Sequence, residues 1–311
     1  MNRMVFGRVP NVDRVDFTLP PDSVVNERFF KDLRGRSASP CPQVLLGTAG
    51  WSDREFLGRL YPRGTRARDF LHCYSRAFPT NELNSSYFGY DAMRFAAWTA
   101  MVPEDFLFCP KLPARISHER KFVDAAREMD PFVEALQSFG KHLGRAWTIL
   151  PPDFGPHRAD VLTAFLERYA PHLPLGIELR HQRWFSDSRA LSSLFEVFEA
   201  LEVTPMLTDV AGRRDVLHMR LCTHDTMIRF VGNSGHASDA KRLDDWTERI
   251  GSWIEHGLER VYFFLHQERN HETIELAQHM LPRLGKRTGI PLPPLSLPAA
   301  EERSMRQSEL F

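Results

Sequence analysis

Eight short apolar segments alternate with helix-like segments along this sequence, and no other feature limits the possible folds as much. The strand-like segments cover 43–47, 80–84, 107–112, 146–150, 175–180, 204–208, 227–232 and 260–266. Apolar residues recur at helical spacing in 65–78, 91–101, 131–143, 159–169, 188–201, 241–256 and 272–285. Strands separated by helices pair in parallel, and eight such units over roughly 250 residues are typical of a TIM barrel. We therefore predict an α/β fold, a TIM-type (β/α)8 barrel with an N-terminal extension.

An open doubly wound sheet is the main alternative to the barrel. Such a sheet usually carries a glycine-rich phosphate-binding turn directly after its first strand. Here the first strand runs into GTAGWSD (47–53), which is neither G-x-G-x-x-G nor a P-loop. The turn therefore favours the barrel.

The barrel prediction divides the chain into three regions. They are an N-terminal extension (1–43), the barrel (44–289) and a C-terminal tail (290–311). Disordered segments usually contain few aromatic residues, whereas the extension contains several. We therefore expect it to pack on the barrel through Phe17, Phe29 and Phe30.

Charge and cysteine content indicate the class of protein and its compartment. Forty basic residues balance forty acidic ones, so no overall field attracts the chain to nucleic acid or anionic membranes. The four cysteines are far apart in the sequence and suggest free thiols in a reducing cytoplasm. No apolar run approaches the roughly 20 residues that cross a bilayer, and no signal peptide is evident. The expected location is cytoplasmic, with no membrane partner.

Polar residues gather where the predicted strands end, which is where barrel enzymes carry their reactive groups. Glu82 stands inside an otherwise apolar strand, and a buried carboxylate is costly unless it is paired or bound to a cation. The other candidates at strand ends are Thr48, Trp51, Asn84, Lys111, His118, Glu178, Arg180, His181, Trp184, Asp209, Arg229, Asn233, His266 and Gln267.

These residues have a structural and a functional interpretation. In the first, Glu178 pairs with charges on neighbouring strands, Glu82 pairs with Lys111, and the ions only fill the barrel. In the second, the residues form a polar pocket for a small anionic or polyhydroxyl ligand. Arginines bind the oxygens of this ligand, and a carboxylate acts as general base. The predicted catalytic residues are then Glu82, Glu178, Lys111 and His118.

Two further chemistries and one further partner remain open. Lys111 is a candidate Schiff-base lysine, although a counter-ion role is favoured. A divalent metal could bind between Glu82, Glu178, Asp209 and His118, but their spacing does not require it, so no metal ligand and no cofactor is assigned. Arginines cluster in the loops after the first and third strands, and they are the basis for an alternative nucleic-acid partner.

Five motifs carry a resemblance to a known family. They are GTAGWSDREFLGRLYP (47–62), TNELNSSYF (80–88), PEDFLFCPKLPARISHER (103–120), ILPPDF (149–154) and IELRHQRWF (177–185). In this order they resemble the signatures of the YecE-like family, a domain of unknown function with a TIM-barrel-like fold, over roughly residues 44–285. By motif match, the resemblance implies that one pocket is lined by Trp51, Tyr61, Glu82, Asn84, Lys111, His118, Glu178, Arg180, His181 and Trp184.

The resemblance weakens towards the C-terminus. Family members usually have R-x-H-G on the seventh strand, whereas this chain has RFVG, with Arg229 matching and Val231 in the histidine position. The last strand also lacks the usual asparagine-containing motif. Our hypothesis is that His266 or Gln267 substitutes for the missing group.

Three function classes follow from the sequence. The leading one is an enzyme with acid–base or hydrolytic chemistry on a small anionic or polyhydroxyl substrate, which Asp209 and Arg229 help to bind. The second is a nucleic-acid-binding protein or metal-dependent phosphodiesterase, a suggestion that rests on fold analogy. The third is a ligand sensor without turnover. The oligomeric state is not predicted.

Overall fold

A computed structural model describes residues 7–34 and 41–298 of the chain. Its strands are β1 (Gln43–Thr48), β2 (Thr80–Leu83), β3 (Leu107–Pro110), β4 (Ala146–Ile149), β5 (Leu175–Glu178), β6 (Thr204–Pro205), β7 (Leu207–Asp209), β8 (Asp225–Val231) and β9 (Arg260–His266). Its α-helices are α1 (Asn26–Arg34), α2 (Phe70–Ala77), α3 (Ala92–Thr99), α4 (Ala126–Leu136), α5 (Ala159–Tyr169), α6 (Gln182–Ser186), α7 (Ser188–Ala200), α8 (Ser238–Glu255) and α9 (Thr273–Thr288).

The strands form two parallel sheets. The larger sheet has six strands in the order β3-β2-β1-β9-β8-β7, and the smaller has three in the order β4-β5-β6. Every pair of neighbouring strands is parallel, as expected for strands separated by helices. The predicted parallel α/β fold is therefore confirmed. The described residues do not form the single closed sheet of a (β/α)8 barrel.

The two sheets nevertheless lie edge to edge. Between β3 and β4 there are only isolated bridges, and the Leu112 N–H donates to the Trp147 carbonyl at 2.8 Å. On the other side, Met206 separates β6 from β7, and its N–H donates to the Ile177 carbonyl at 2.9 Å. One strand-like segment thus pairs with the small sheet through its first half and with the large sheet through its second.

Alternate strand positions face the space between the sheets, because successive side chains in a strand point to opposite faces. A small apolar cluster fills the middle of this space, formed by Leu45, Cys109, Trp147, Ile149, Met206, Met227, Tyr262 and Phe264. A buried ion pair between Arg145 and Asp225, 2.7 Å long, lies towards the N-terminal ends of the strands. Glu82 and Arg229 lie towards the C-terminal ends. The opposite strand faces join the large apolar core against the helices.

Local sequence signals explain several element boundaries. The Asp91 side chain accepts a hydrogen bond from the Met93 N–H and caps α3, a role that aspartate commonly takes at helix N-termini. The helix expected at 131–143 instead begins at Ala126, and a 3-10 segment follows from Gln137. Pro131 is the sixth residue of this helix, so the helix lacks the hydrogen bond that an N–H at this position would donate to the Arg127 carbonyl.

The described part of the N-terminal extension contacts the rest of the fold along its length. Phe29 and Phe30 are buried in the large apolar core, and the Arg242 guanidinium lies 4.8 Å from the centre of the partly buried Phe17 ring. The Asn26 side chain also donates to the Met219 carbonyl at 2.8 Å. The division of the chain at residue 43 and at residue 289 stays a prediction.

We expect Phe30→Ala to lower the free energy of unfolding by about 3 kcal/mol, because it leaves a cavity in the core. Val24→Ala is the matched control on the same segment, since the Val24 side chain is 85% exposed. Urea unfolding at neutral pH measures both. Equal stability of the two variants would mean that the extension does not contribute to the core.

Candidate functional site at the strand ends

One arginine joins carboxylates from the two sheets. The Nε of Arg229, on β8, donates to Oε1 of Glu82, on β2, at 2.7 Å. Its Nη1 donates to Oε2 of Glu178, on β5, at 2.5 Å. Arg180 donates from Nε to the other Glu178 oxygen at 2.7 Å. All four side chains are largely buried, so this ionic network spans the gap between the sheets.

The network keeps both carboxylates ionised. Burial by itself opposes their ionisation, but the charge of Arg229 acts on both, with His266 adding to it at Glu82 and Arg180 at Glu178. The net effect lowers the pKa of each carboxyl to about 2. A carboxylate with this pKa is a weak proton acceptor at neutral pH. Glu82 and Glu178 are therefore better suited to orienting Arg229 than to general-base chemistry.

Two more polar groups approach Glu82. The Nε2 atom of His266, on β9, lies 2.9 Å from Glu82 Oε2, an ion-pair distance without the alignment of a hydrogen bond. The Asn84 amide donates to the same oxygen at 3.4 Å. Strand β2 ends at Leu83 and Asn84 begins a 3-10 turn, so the expected extended strand through Asn84 is not found. Gln267 instead contacts Asp239 at 3.2 Å, away from Glu82.

Lys111 does not pair with Glu82, contrary to the first interpretation of the sequence. In the described part of the chain, its ammonium has no carboxylate within the 4.0 Å ion-pair limit. The Nζ atom lies 4.5 Å from the centre of the Tyr87 ring and 5.0 Å from that of Trp147. Only 6% of Lys111 is exposed. Burial, followed by the Arg229 charge, lowers the pKa of Lys111 to about 8 despite the two nearby carboxylates.

His118 shares an aromatic neighbour with Lys111. It lies in a π-helical turn, Arg115–Glu119, after β3, and its ring packs edge-on against Tyr87 at a centroid distance of 5.3 Å. Its Nδ1 is 2.8 Å from the Ser117 hydroxyl. Burial and the Lys111 charge lower the pKa of His118 to about 4, so the imidazole is neutral at pH 7. His118 and Tyr87 are both partly exposed. The cluster therefore meets solvent on the side that these two residues form.

The predicted aromatic residues lie in different surroundings. Trp51 is partly buried and packs edge-on against Trp98 at 4.9 Å. Tyr61 is fully buried, and its hydroxyl donates to the Trp51 carbonyl at 2.7 Å. Burial raises the pKa of the Tyr61 phenol above its usual range. Tyr61 is thus part of the apolar core, where it holds the loop after β1.

Trp184 and His181 organise the segment after β5. Trp184 is fully buried, and its indole N–H donates to the Phe154 carbonyl at 2.9 Å. His181 Nδ1 accepts from the Arg183 N–H at 3.1 Å and caps α6. Both residues make hydrogen bonds to the backbone that stabilise the local fold. That they line a pocket stays a prediction.

Asp209 faces away from the ionic network. Its carboxylate accepts from the Arg242 Nε at 3.2 Å and from the Trp246 indole at 2.8 Å, both on α8, and it also pairs with Arg214. Its neighbour Thr208 occupies the alternate position on β7. The four residues considered as metal ligands are therefore not brought together, and in the described ranges no three His, Cys, Asp or Glu side chains group to hold a metal ion.

Tyr87 and Trp147 were missed as candidates in the sequence. The Trp147 ring lies close to the Lys111 ammonium and to the Arg229 guanidinium, which are 5.0 and 5.2 Å from its ring centre. The sequence feature that could have identified Trp147 is its position on β4, two residues before Ile149. This spacing places both side chains on the face that points between the sheets. Tyr87 follows the strand that carries Glu82 and belongs to the quoted TNELNSSYF motif. Aromatic rings attract cations through their faces, which accounts for the place of Lys111.

A family model described as "Protein of unknown function DUF72" matches residues 45–301. This chain belongs to the DUF72 family. It is 25% identical over 247 residues to the UPF0759 protein YecE of Escherichia coli K12, a match covering 71% of this chain and 90% of YecE. It is 30% identical over 155 residues to the UPF0759 protein YunF of Bacillus subtilis, covering 46% of this chain and 52% of YunF.

A solved structure supports the fold. The crystal structure of a DUF72 family protein from Enterococcus faecalis V583 superposes with a TM-score of 0.57. The match covers 82% of this chain and 100% of that one, at 18% identity. The predicted membership of a divergent branch of the YecE-like family is therefore confirmed, and the family has no established activity. In the described part of this DUF72 chain, no helix is long and apolar enough to cross a membrane.

Several basic residues in the loops after the first and third strands, which were the basis for the nucleic-acid alternative, already have acidic partners. Arg66 lies 3.4 Å from Asp69, and Arg120 lies 2.6 Å from Glu128. Lys121 pairs with Asp153. A cation with a carboxylate partner attracts phosphate less strongly than an unpaired one. The nucleic-acid alternative gains no support from these contacts.

We expect Arg229→Met to lower the free energy of unfolding at pH 7 by about 3–5 kcal/mol, since it leaves two buried carboxylates without their shared partner. In the wild type, both folded pKa values lie near 2, below the ordinary value of 4.5. Wild-type stability should therefore fall as the pH drops from 4.5 towards 2. The variant should lose less, because burial now favours protonation. Parallel pH curves would contradict this.

We expect Lys111→Met to be as stable as the wild type at pH 7, or more stable, because it replaces an unpaired buried cation with an apolar side chain. The folded pKa of about 8 lies below the ordinary 10.5, so between these values the unfolded chain binds a proton that the folded chain does not. Wild-type stability should rise with pH in this window. The advantage of the variant should shrink from pH 7 to pH 10.5 in urea titrations. A constant difference would rule out the lowered pKa.

Proposed function

We propose that this DUF72 chain is an enzyme that binds a small anionic substrate at the C-terminal ends of its strands. The observation that carries the proposal is the buried Lys111 ammonium, which has no carboxylate partner in the described residues. A buried charge without a partner costs folding free energy. A ligand that supplies the missing negative charge would offset this cost.

The balance of charge in the cluster supports an anionic ligand. Lys111, Arg180 and Arg229 are cations, whereas Glu82 and Glu178 are the only carboxylates in the described ionic network. The two carboxylates are already occupied by arginine. One positive charge is left over, and a phosphate or carboxylate group of the substrate would balance it.

The proposed chemistry is proton transfer by Lys111 and His118. Glu82 and Glu178 hold Arg229 in a fixed orientation. A proton donor or acceptor is most effective when its pKa lies near the working pH. The pKa of Lys111, lowered to about 8 by burial and the Arg229 charge, meets this condition better than those of the two carboxylates, near 2. We further propose that the two sheets act as one TIM-type barrel, which the bridges between β3 and β4 support.

The test is equilibrium binding of inorganic phosphate, measured by calorimetry at fixed ionic strength and pH 7. We expect Lys111→Met to weaken phosphate binding by about tenfold or more, equivalent to about 1.4 kcal/mol or more. Lys241→Met is the matched control, since Lys241 is exposed on α8 and pairs with Asp245 at 2.7 Å. Equal dissociation constants for all three proteins, or no phosphate binding by any, would refute the proposed site.

A further inference from the structure

We infer that Lys111 is a nucleophile that forms an imine with an anionic aldehyde or ketone held at the strand ends. This inference names the substrate class of the proposed site, and it rests on the proposed function because that site supplies the binding of the anionic group. It assigns to Lys111 a covalent step in addition to proton transfer.

The surroundings of the amine favour nucleophilic chemistry. Arg229 takes up carboxylate oxygens of both Glu82 and Glu178, so neither carboxylate is directed at Lys111. The Nζ atom instead faces two aromatic rings, and these stabilise its charge less than a carboxylate would. Burial and the Arg229 charge together lower the pKa of Lys111 to about 8. A larger fraction of the amine is therefore neutral at pH 7 than for an ordinary lysine.

Three of the other five lysines have surroundings that differ from those of Lys111. Lys121, Lys141 and Lys241 each have a carboxylate partner at the surface. An acidic partner stabilises the ammonium form, which is not nucleophilic. Of the six lysines in the sequence, Lys111 is the one that the structure buries at the candidate site. This contrast gives the experiment an internal reference.

The reaction is balanced without a further reagent. The Nζ lone pair attacks the carbonyl carbon, and the carbonyl oxygen takes up a proton to give a carbinolamine. The oxygen then leaves as water, together with both hydrogens of the neutral amine, and a C=N bond remains. His118 shares the Tyr87 contact with Lys111 and is neutral at pH 7, so it is our candidate to carry the proton between nitrogen and oxygen.

The net charge of the cluster attracts the anionic group of the ligand, independently of the attack of the amine on the carbonyl carbon. While Lys111 is protonated, its ammonium gives the cluster one net positive charge, because Arg229 and Arg180 together only balance Glu82 and Glu178. A protonated imine carries the same charge. An anionic carbonyl compound is therefore favoured over a neutral one. Pyruvate and acetone are a matched pair for this comparison, since both are small ketones and only pyruvate carries a carboxylate.

The experiment is reductive trapping. The full-length protein is incubated at pH 7 with pyruvate or dihydroxyacetone phosphate and sodium cyanoborohydride, which adds hydride to the imine carbon and leaves a stable secondary amine. Peptide mass spectrometry then measures modification at each lysine. We expect modification of Lys111 to exceed that of Lys121, Lys141 and Lys241 by at least tenfold, and acetone to label Lys111 at least tenfold more slowly than pyruvate.

The outcomes separate this inference from the proposed function. If phosphate binds and depends on Lys111 but trapping at Lys111 does not exceed that at the surface lysines, the imine is refuted and the anion site stands. If acetone labels Lys111 as fast as pyruvate, the anionic substrate class is refuted. The main readout uses the wild-type protein, so it does not depend on the folding of a variant. In Lys111→Arg, which keeps the charge, labelling elsewhere should be unchanged.

Discussion

The contact between Arg229 and two carboxylates is the interaction on which the arrangement of the strand ends depends. One guanidinium reaches Glu82 in the large sheet and Glu178 in the small sheet at 2.7 and 2.5 Å. The planar fork of arginine can donate to two acceptors in fixed directions, which an ammonium cannot. The same contact therefore joins the sheets across their gap, keeps two buried carboxylates ionised and decides that Lys111 has neither of them as a partner.

Within this cluster, the two carboxylates and Lys111 differ in how readily they exchange protons. The carboxylates, with pKa values near 2, hold their charge over the whole physiological range. Lys111, with its pKa lowered to about 8 by burial and by Arg229, can gain or lose a proton near neutral pH. Groups with widely separated pKa values in one site usually carry different tasks. We therefore propose that the carboxylates orient Arg229 and that Lys111 carries the reaction.

The N-terminal extension and the strand ends are also connected. The Gly212 N–H, in the loop after β7, donates to the Gly7 carbonyl at 2.8 Å. Arg8 pairs with Glu268, after β9, at 2.9 Å. A side chain at position 212 would collide with the backbone of Gly7, because a Cβ there would lie 2.8 Å from the Gly7 carbonyl oxygen. From Gly7 onwards, the extension thus lies beside the loops after β7 and β9 and continues along the fold to α1.

The order of strands and helices, the parallel α/β class and the family could all be predicted from the sequence, because apolar periodicity and local motifs are properties of neighbouring residues. The sequence also indicated which residues lie at strand ends. The partners of these residues depend on contacts between distant parts of the chain, which the sequence pattern does not specify. Arg229 lies 147 residues from Glu82 and 51 from Glu178, and periodicity does not specify pairs at such separations. Asp209 faces the helices instead of the cluster because adjacent strand positions point to opposite faces, so its side was fixed only when β7 paired with β8.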